Sequence, residues 1–161
     1  MELRVQPGDK HLQENRVIPL NTFTGTKYVN TEYRFSLWYP ETYTPTDLDG
    51  LCKDNEFRRY LICLAQTDDP DASSIVVTII PGLPFHVYPN HGDVMPTRQR
   101  IGHHIFYCGL AGSQAVGVSD QCVFDLKGKI LEFTFDPAQM GNWGYIANPL
   151  VSQVLATFRM H

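Results

Sequence analysis

The chain has 161 residues, a formal net charge of −4, 43% hydrophobic residues and 19% charged residues. That is enough chain to bury one sizeable core, and it carries no run of Lys or Arg to suit a nucleic-acid partner. No segment approaches the ~20 apolar residues of a membrane span, the longest aliphatic run being IVVTII at 75–80.

Residues 1–26 lack a clear period and read as an extended N-terminal arm ahead of a single domain over 27–161. The arm has no apolar h-region. A cytoplasmic home follows if Met1 is the native start, and an extracytoplasmic one if a signal peptide was trimmed. In KYVNTEYRFSLWYP (27–40), Tyr33, Phe35, Leu37 and Tyr39 alternate with Arg34, Ser36 and Trp38. That period of two predicts a strand ended by Pro40, and the NTE turn before it predicts a hairpin with Lys27–Val29. The breaker-rich 40–50 reads as a loop.

FRRYLICLAQ (57–66), the turn TDDPDAS and SIVVTIIPG (74–82) predict a second hairpin. Residues 83–100 hold three prolines and a glycine and read as a long surface excursion. A strand follows over 101–112, then a strand, a turn at LKGK and another strand within 116–137. At the C-terminus the period changes. Asn148 suits a helix cap and Pro149 the first helical position, and Leu150, Val151, Val154, Leu155 and Phe158 fall on one face. The predicted fold class is α+β: a mainly antiparallel sheet of five to seven strands with an amphipathic C-terminal helix packed on it.

The four cysteines, Cys52, Cys63, Cys108 and Cys122, include no C-x-x-C. Apolar neighbours favour buried thiols. The alternative is disulfides, for which Cys108–Cys122, across two neighbouring strands, is the favoured pair.

The order Y-x-N-x-x-Y-x-F-S-x-x-Y-P (28–40), IGHHIFY, KGKILEFTF and VSQVLATFRM resembles the PsbP/Mog superfamily. That group includes a photosystem II subunit, the Ran-binding Mog protein and many bacterial proteins of unknown role. The resemblance spans Tyr28 to Arg159 and implies a PsbP/Mog-like sandwich with a helix ending in a Leu-x-Ser/Thr-Phe motif. It also implies a binding or assembly role rather than an enzymatic one, with no shared catalytic set. Arg34 departs from the pattern, standing where glycine is common.

HHIFYCG (103–109) sets two histidines a few residues before a cysteine. On a strand, His103 and His104 point to opposite faces, and His104 and Cys108 stand ~13 Å apart, so neither pair closes on one ion. One histidine should be half-buried on the core side and the other exposed. His86, His91 and Asp93, joined by His103 or His104, form a weaker metal candidate and the basis of an alternative reading as a small metal-dependent enzyme. Ser113 lacks the G-x-S-x-G frame. Glu132 and Asp136 share a strand face at ~13 Å, too far apart for paired acid–base work, and read as a solvated face. No phosphate or dinucleotide loop occurs, and no cofactor is expected.

Binding is the reading that the residues favour. Phe85 and Tyr88 in one loop, Trp143 and Tyr145 in another, and Arg98 and Arg100 beside the first are the aromatic and arginine types that anchor interfaces. The expected function is therefore a non-enzymatic binding or assembly domain with a protein partner and no nucleic acid, homo-oligomerisation being left open. A carrier of a small apolar ligand between sheet and helix is a further alternative.

Overall fold

The computed structural model describes residues 24–48, 50–80, 97–113, 117–136 and 149–161, with side chains left undescribed at 111–118. Alternation of apolar and polar residues builds most of the strands. The elements are β1 (Gly25–Asn30), β2 (Phe35–Pro40), β3 (Tyr43–Pro45), β4 (Arg59–Gln66), β5 (Ser74–Ile80), β6 (Thr97–Ile101), β7 (His104–Ser113), β8 (Gly117–Asp125), β9 (Ile130–Asp136), α1 (Pro149–Ala156) and β10 (Arg159–Met160). They form a seven-stranded sheet in the order β3-β4-β5-β9-β8-β7-β6 and a three-stranded sheet in the order β1-β2-β10. Every pairing among the described residues is antiparallel. The expected α+β class stands, with the strands divided between two sheets.

Three predicted features need correction. The 40–50 loop contains β3, a short edge strand whose Pro45 sits where a missing amide donor is tolerated. The end of the 83–100 excursion is β6, so Arg98 and Arg100 lie on a strand. The strand predicted over 101–112 breaks at Gly102–His103, a two-residue turn between the paired Ile101 and His104. Gly102 takes φ +63°, and a Cβ there would lie 2.7 Å from the Ala156 carbonyl oxygen, so the turn seats on the end of α1. The LKGK turn is as expected: Leu126 and Lys129 exchange backbone bonds around Lys127 and Gly128, both at positive φ.

The core lies between the inner face of the large sheet and a layer made of β2 and α1. Phe35, Leu37 and Tyr39 of β2 face Ile75, Val77 and Ile79 of β5 and Leu131, Phe133 and Phe135 of β9, with Val151, Val154 and Leu155 of α1 closing the layer. The helix face is as predicted, except that α1 stops at Ala156 and Phe158 follows it in extended chain. The ring of Phe158 meets Phe35, Phe106, Phe124 and Phe133 at centroid distances of 4.9–5.7 Å. Thr157 fixes its approach. The Thr157 hydroxyl accepts from the Trp38 amide at 2.8 Å and donates to the Val154 carbonyl at 2.6 Å. β10 then pairs with β2, which the sequence reading did not include.

Both cysteine pairs are disulfides, Cys52–Cys63 and Cys108–Cys122, so the buried-thiol expectation is overturned. The favoured pair Cys108–Cys122 joins directly opposed residues of β7 and β8, with Cα atoms 4.1 Å apart.

Arg34, the departure from the family pattern, has φ +61° at the end of the β1–β2 turn, and its carbonyl accepts from the His161 amide at 2.8 Å. A side chain in this left-handed region costs about 1 kcal/mol relative to glycine. Arg34→Gly should therefore raise stability by about 0.5–1 kcal/mol, read as a higher urea midpoint at unchanged slope; a lower midpoint would refute the strain.

Candidate interaction surface

Strand direction decides where side chains gather. Because neighbouring strands are antiparallel, the β1–β2, β6–β7 and β8–β9 turns and the start of β4 lie at one end of the molecule, and the β4–β5 turn and the end of β9 lie at the other. The first end carries Arg34, Arg59, Arg100, Lys127, Lys129 and Arg159, with Glu32, Asp54, Glu56 and Asp125 interspersed. The second carries Glu41, Asp47, Asp68, Asp69, Asp71 and Asp136, and no Lys or Arg among the described residues. A net charge of −4 conceals this sorting.

At the basic end Tyr33 sits between two cations, with its ring centre 5.8 Å from the Arg59 guanidinium carbon and 5.3 Å from the Lys129 Nζ. Arg59 also pairs with Glu32 at 2.7 Å, which holds the guanidinium pKa above its ordinary value. Arg159 donates to the Ala156 and Phe158 carbonyls at 3.0 and 2.8 Å, capping the end of α1. Phe57, 70% exposed, stands just before β4 at this end.

At the acidic end lies a cleft of about 220 Å³, with Leu48, Leu51 and Pro70 on its apolar side and Asp71, Ser73 and Asp136 on its polar side. The Ser119 hydroxyl donates to Asp136 Oδ1 at 3.1 Å.

The outer face of β9 is not solvated as the sequence reading had it. Glu132 is fully buried, pairs with Arg58 and accepts from the Thr78 hydroxyl at 3.4 Å. Arg58 reaches it across β5 from a loop tied to β4 by Cys52–Cys63 and by Asn55, whose Oδ1 accepts from the Phe57 and Arg58 amides. The alternation of Glu132 with apolar residues was the sole local signal, and it reads equally well as an exposed face. Beside it, Ile80, Tyr107, Val123 and Ile130 form a second small apolar cluster, against which Ile105 packs.

Arg98 and Arg100 lie on this outer face at the sheet edge, opposite Tyr107 and Ile105 in the β6–β7 ladder. Phe85, Tyr88, Trp143 and Tyr145 lie outside the described residues, as do His86, His91 and Asp93. His103 is exposed in the β6–β7 turn, and His104 is half-buried, as expected for one of each. Among the described residues no three His, Cys, Asp or Glu side chains come together as a metal site. No described helix is long and apolar enough to cross a membrane.

His104 packs edge-on against Phe124 and Phe158 at 5.5 and 5.1 Å. Burial, then the positive fields of Arg159, His103 and Arg100, hold its imidazole below the ordinary histidine pKa of 6.5. The folded state thus takes up the proton less readily than the unfolded chain. Stability contributed by the neutral ring is present above the unfolded value and is lost as pH falls through it. Urea midpoints followed from about pH 7 to about pH 5 should fall less steeply in His104→Leu than in the wild type; parallel curves would refute the assignment.

Removing Arg58 leaves a buried carboxylate without its ion-pair partner. Arg58→Ala should cost about 2–4 kcal/mol, toward the low end for a buried pair, because Arg58 keeps 33% of its side chain in water. Arg58→Met with Glu132→Leu should recover most of that loss in the same unfolding measurement. A loss below about 0.5 kcal/mol for the single variant would place the pair among ordinary surface bridges.

No family model matches the chain, and neither does any curated protein. The solved structures similar in fold include the two that follow. A crystal structure from Bacteroides thetaiotaomicron has a TM-score of 0.49 and 12% identity over 85% of this chain, which spans 48% of that one. The solution structure of cyanobacterial PsbP (CyanoP) from Synechocystis sp. PCC 6803 has a TM-score of 0.49 and 11% identity over 88% of this chain and 95% of its own. Both are likenesses of overall fold alone.

Proposed function

We propose that this is a non-enzymatic binding or assembly domain that engages a protein partner through its basic end. The observation that carries the reading is the sorting of charge: a predominance of cations, on two turns, at the end of β6, on β10 and at the start of β4, at one end, and carboxylates without Lys or Arg among the described residues at the other. The ends stand about 20–25 Å apart, from the rise of seven-residue strands such as β5 and β9. That exceeds two Debye lengths at physiological salt, about 8 Å each, so neither end neutralises the other. An uncompensated end steers a partner and sets its orientation more than it adds to raw affinity.

Arg100 belongs to this end and Arg98 flanks it on the outer face. Phe85, Tyr88, Trp143 and Tyr145 extend the proposal from sequence alone, with residues 27–161 acting as one domain behind an arm of residues 1–26.

A photo-crosslinking amino acid placed at Lys127 should give a saturable adduct with one protein in the native host, competed by unlabelled wild type. The same group at Asp71 should not. Equal adducts from both positions, or none from Lys127, would overturn the reading.

A further inference from the structure

The basic end has a shape as well as a sign. The β8–β9 turn places Lys127 and Lys129 on either side of Gly128. Lys129 lies against the Tyr33 ring, and Arg59 lies against the same ring. Arg34 follows Tyr33 directly. Three of the nearby carboxylates are engaged: Glu32 with Arg59 at 2.7 Å, Asp54 with the Tyr60 amide at 2.8 Å, and Asp125, whose Oδ1 accepts from the Gly128 amide at 3.4 Å; Glu56 stands exposed beside Phe57. The result is a rim of cations around one half-buried phenol ring.

We propose that this rim docks an acidic segment of a partner polypeptide, whose carboxylates are taken by Arg34, Lys127 and Lys129 around the Tyr33 ring, with Arg59, paired to Glu32, flanking it. The inference rests on the binding role proposed above and adds the chemistry of the partner. Three observations favour a polypeptide over another polyanion. The cations stand on two turns and at the start of β4, with Glu32 and Asp125 between them, an arrangement that meets discrete carboxylates but sets like charges against a continuous phosphate backbone. The adjoining Tyr33 and the 70%-exposed Phe57 are rings of the kind that anchor protein interfaces. An extended chain repeats its same-face side chains about every 6.6–6.8 Å, between the ~4.8 Å spacing of adjacent strands and the ~9.6 Å of next-adjacent ones, a difference that flexible Lys and Arg side chains span.

The test uses the full chain and a short labelled peptide alternating Glu and Ser, with Gln–Ser and Lys–Ser peptides as controls. Fluorescence anisotropy should show binding of the Glu peptide alone, stronger at about 50 mM than at about 300 mM salt. Lys127→Glu with Lys129→Glu should weaken it about tenfold or more, and Asp69→Asn with Asp71→Asn should leave it unchanged. If charge reversal alters the fold by circular dichroism, Lys127→Gln with Lys129→Gln replaces it, and the same loss is expected. Glu-peptide binding that survives the lysine changes overturns the assignment. So does binding of phosphatidylserine vesicles or a single-stranded oligonucleotide without binding of the Glu peptide. So does a salt-sensitive self-association lost in both the lysine and the aspartate variants, which would give the rim to the acidic end of a second copy. A partner crosslinked from Lys127 that lacks an acidic segment would leave the binding role standing and remove this inference alone.

Discussion

The ring of Phe158 is the contact on which the layers depend. It touches β2 through Phe35, β7 through Phe106 and His104, β8 through Phe124 and β9 through Phe133. Those strands belong to both sheets, and the residue itself joins α1 to β10. The packing accounts for the closing Leu-x-Thr-Phe motif in physical terms. Leu155 is the last large apolar residue of the helix, Thr157 turns the chain by bonding to both Val154 and Trp38, and Phe158 fills the space the turn opens. The centre of the sandwich is occupied by rings, which disfavours a carrier that holds an apolar ligand between its layers.

Much of the fold was legible because its signals are local. The hairpins at 25–40 and 117–136 show period-two alternation with breakers between, that at 59–80 shows two short apolar runs around a turn, and α1 shows a capped apolar face. β6 was missed because its inward residues are Thr97, Gln99 and Ile101, two of them polar. Gln99 is buried all the same, its Nε2 donating to the Thr97 hydroxyl at 2.8 Å. β3 and β10 are too short, at three and two residues, to carry a period. Their strand character comes from β4 and β2, which they pair with.

The surface features were less legible because they arise from pairing at long range. Arg58 and Glu132 are 74 residues apart, and nothing in the neighbourhood of either names the other. The basic end draws one or two residues from each of several turns, so no run of positive charge marks it. With Arg59, Arg100 and Arg159 at strand ends, it emerges once strand directions and the contacts of Tyr33 and Glu32 with Lys129 and Arg59 are known. His104, the first residue of β7, turns its ring inward among phenylalanines, and His103, in the turn before it, is exposed.

The chain leaves the large sheet at Ile80, in the middle, and returns at Thr97 on the far edge before working back to pair β9 with β5. The sheet therefore consists of two halves, β3-β4-β5 and β9-β8-β7-β6, that meet along one ladder from Ser74↔Asp136 to Ile80↔Ile130. Each disulfide closes a short loop inside its own half, spanning 11 and 14 residues, and neither crosses the seam. Cohesion there rests on backbone hydrogen bonds, on Ile75, Val77 and Ile79 packed against Phe135, Phe133 and Leu131, and on the Arg58–Glu132 pair that reaches over β5. A chain cut between residues 81 and 96 would thus become two separately cross-linked pieces, with this non-covalent seam as the bond between their sheet halves.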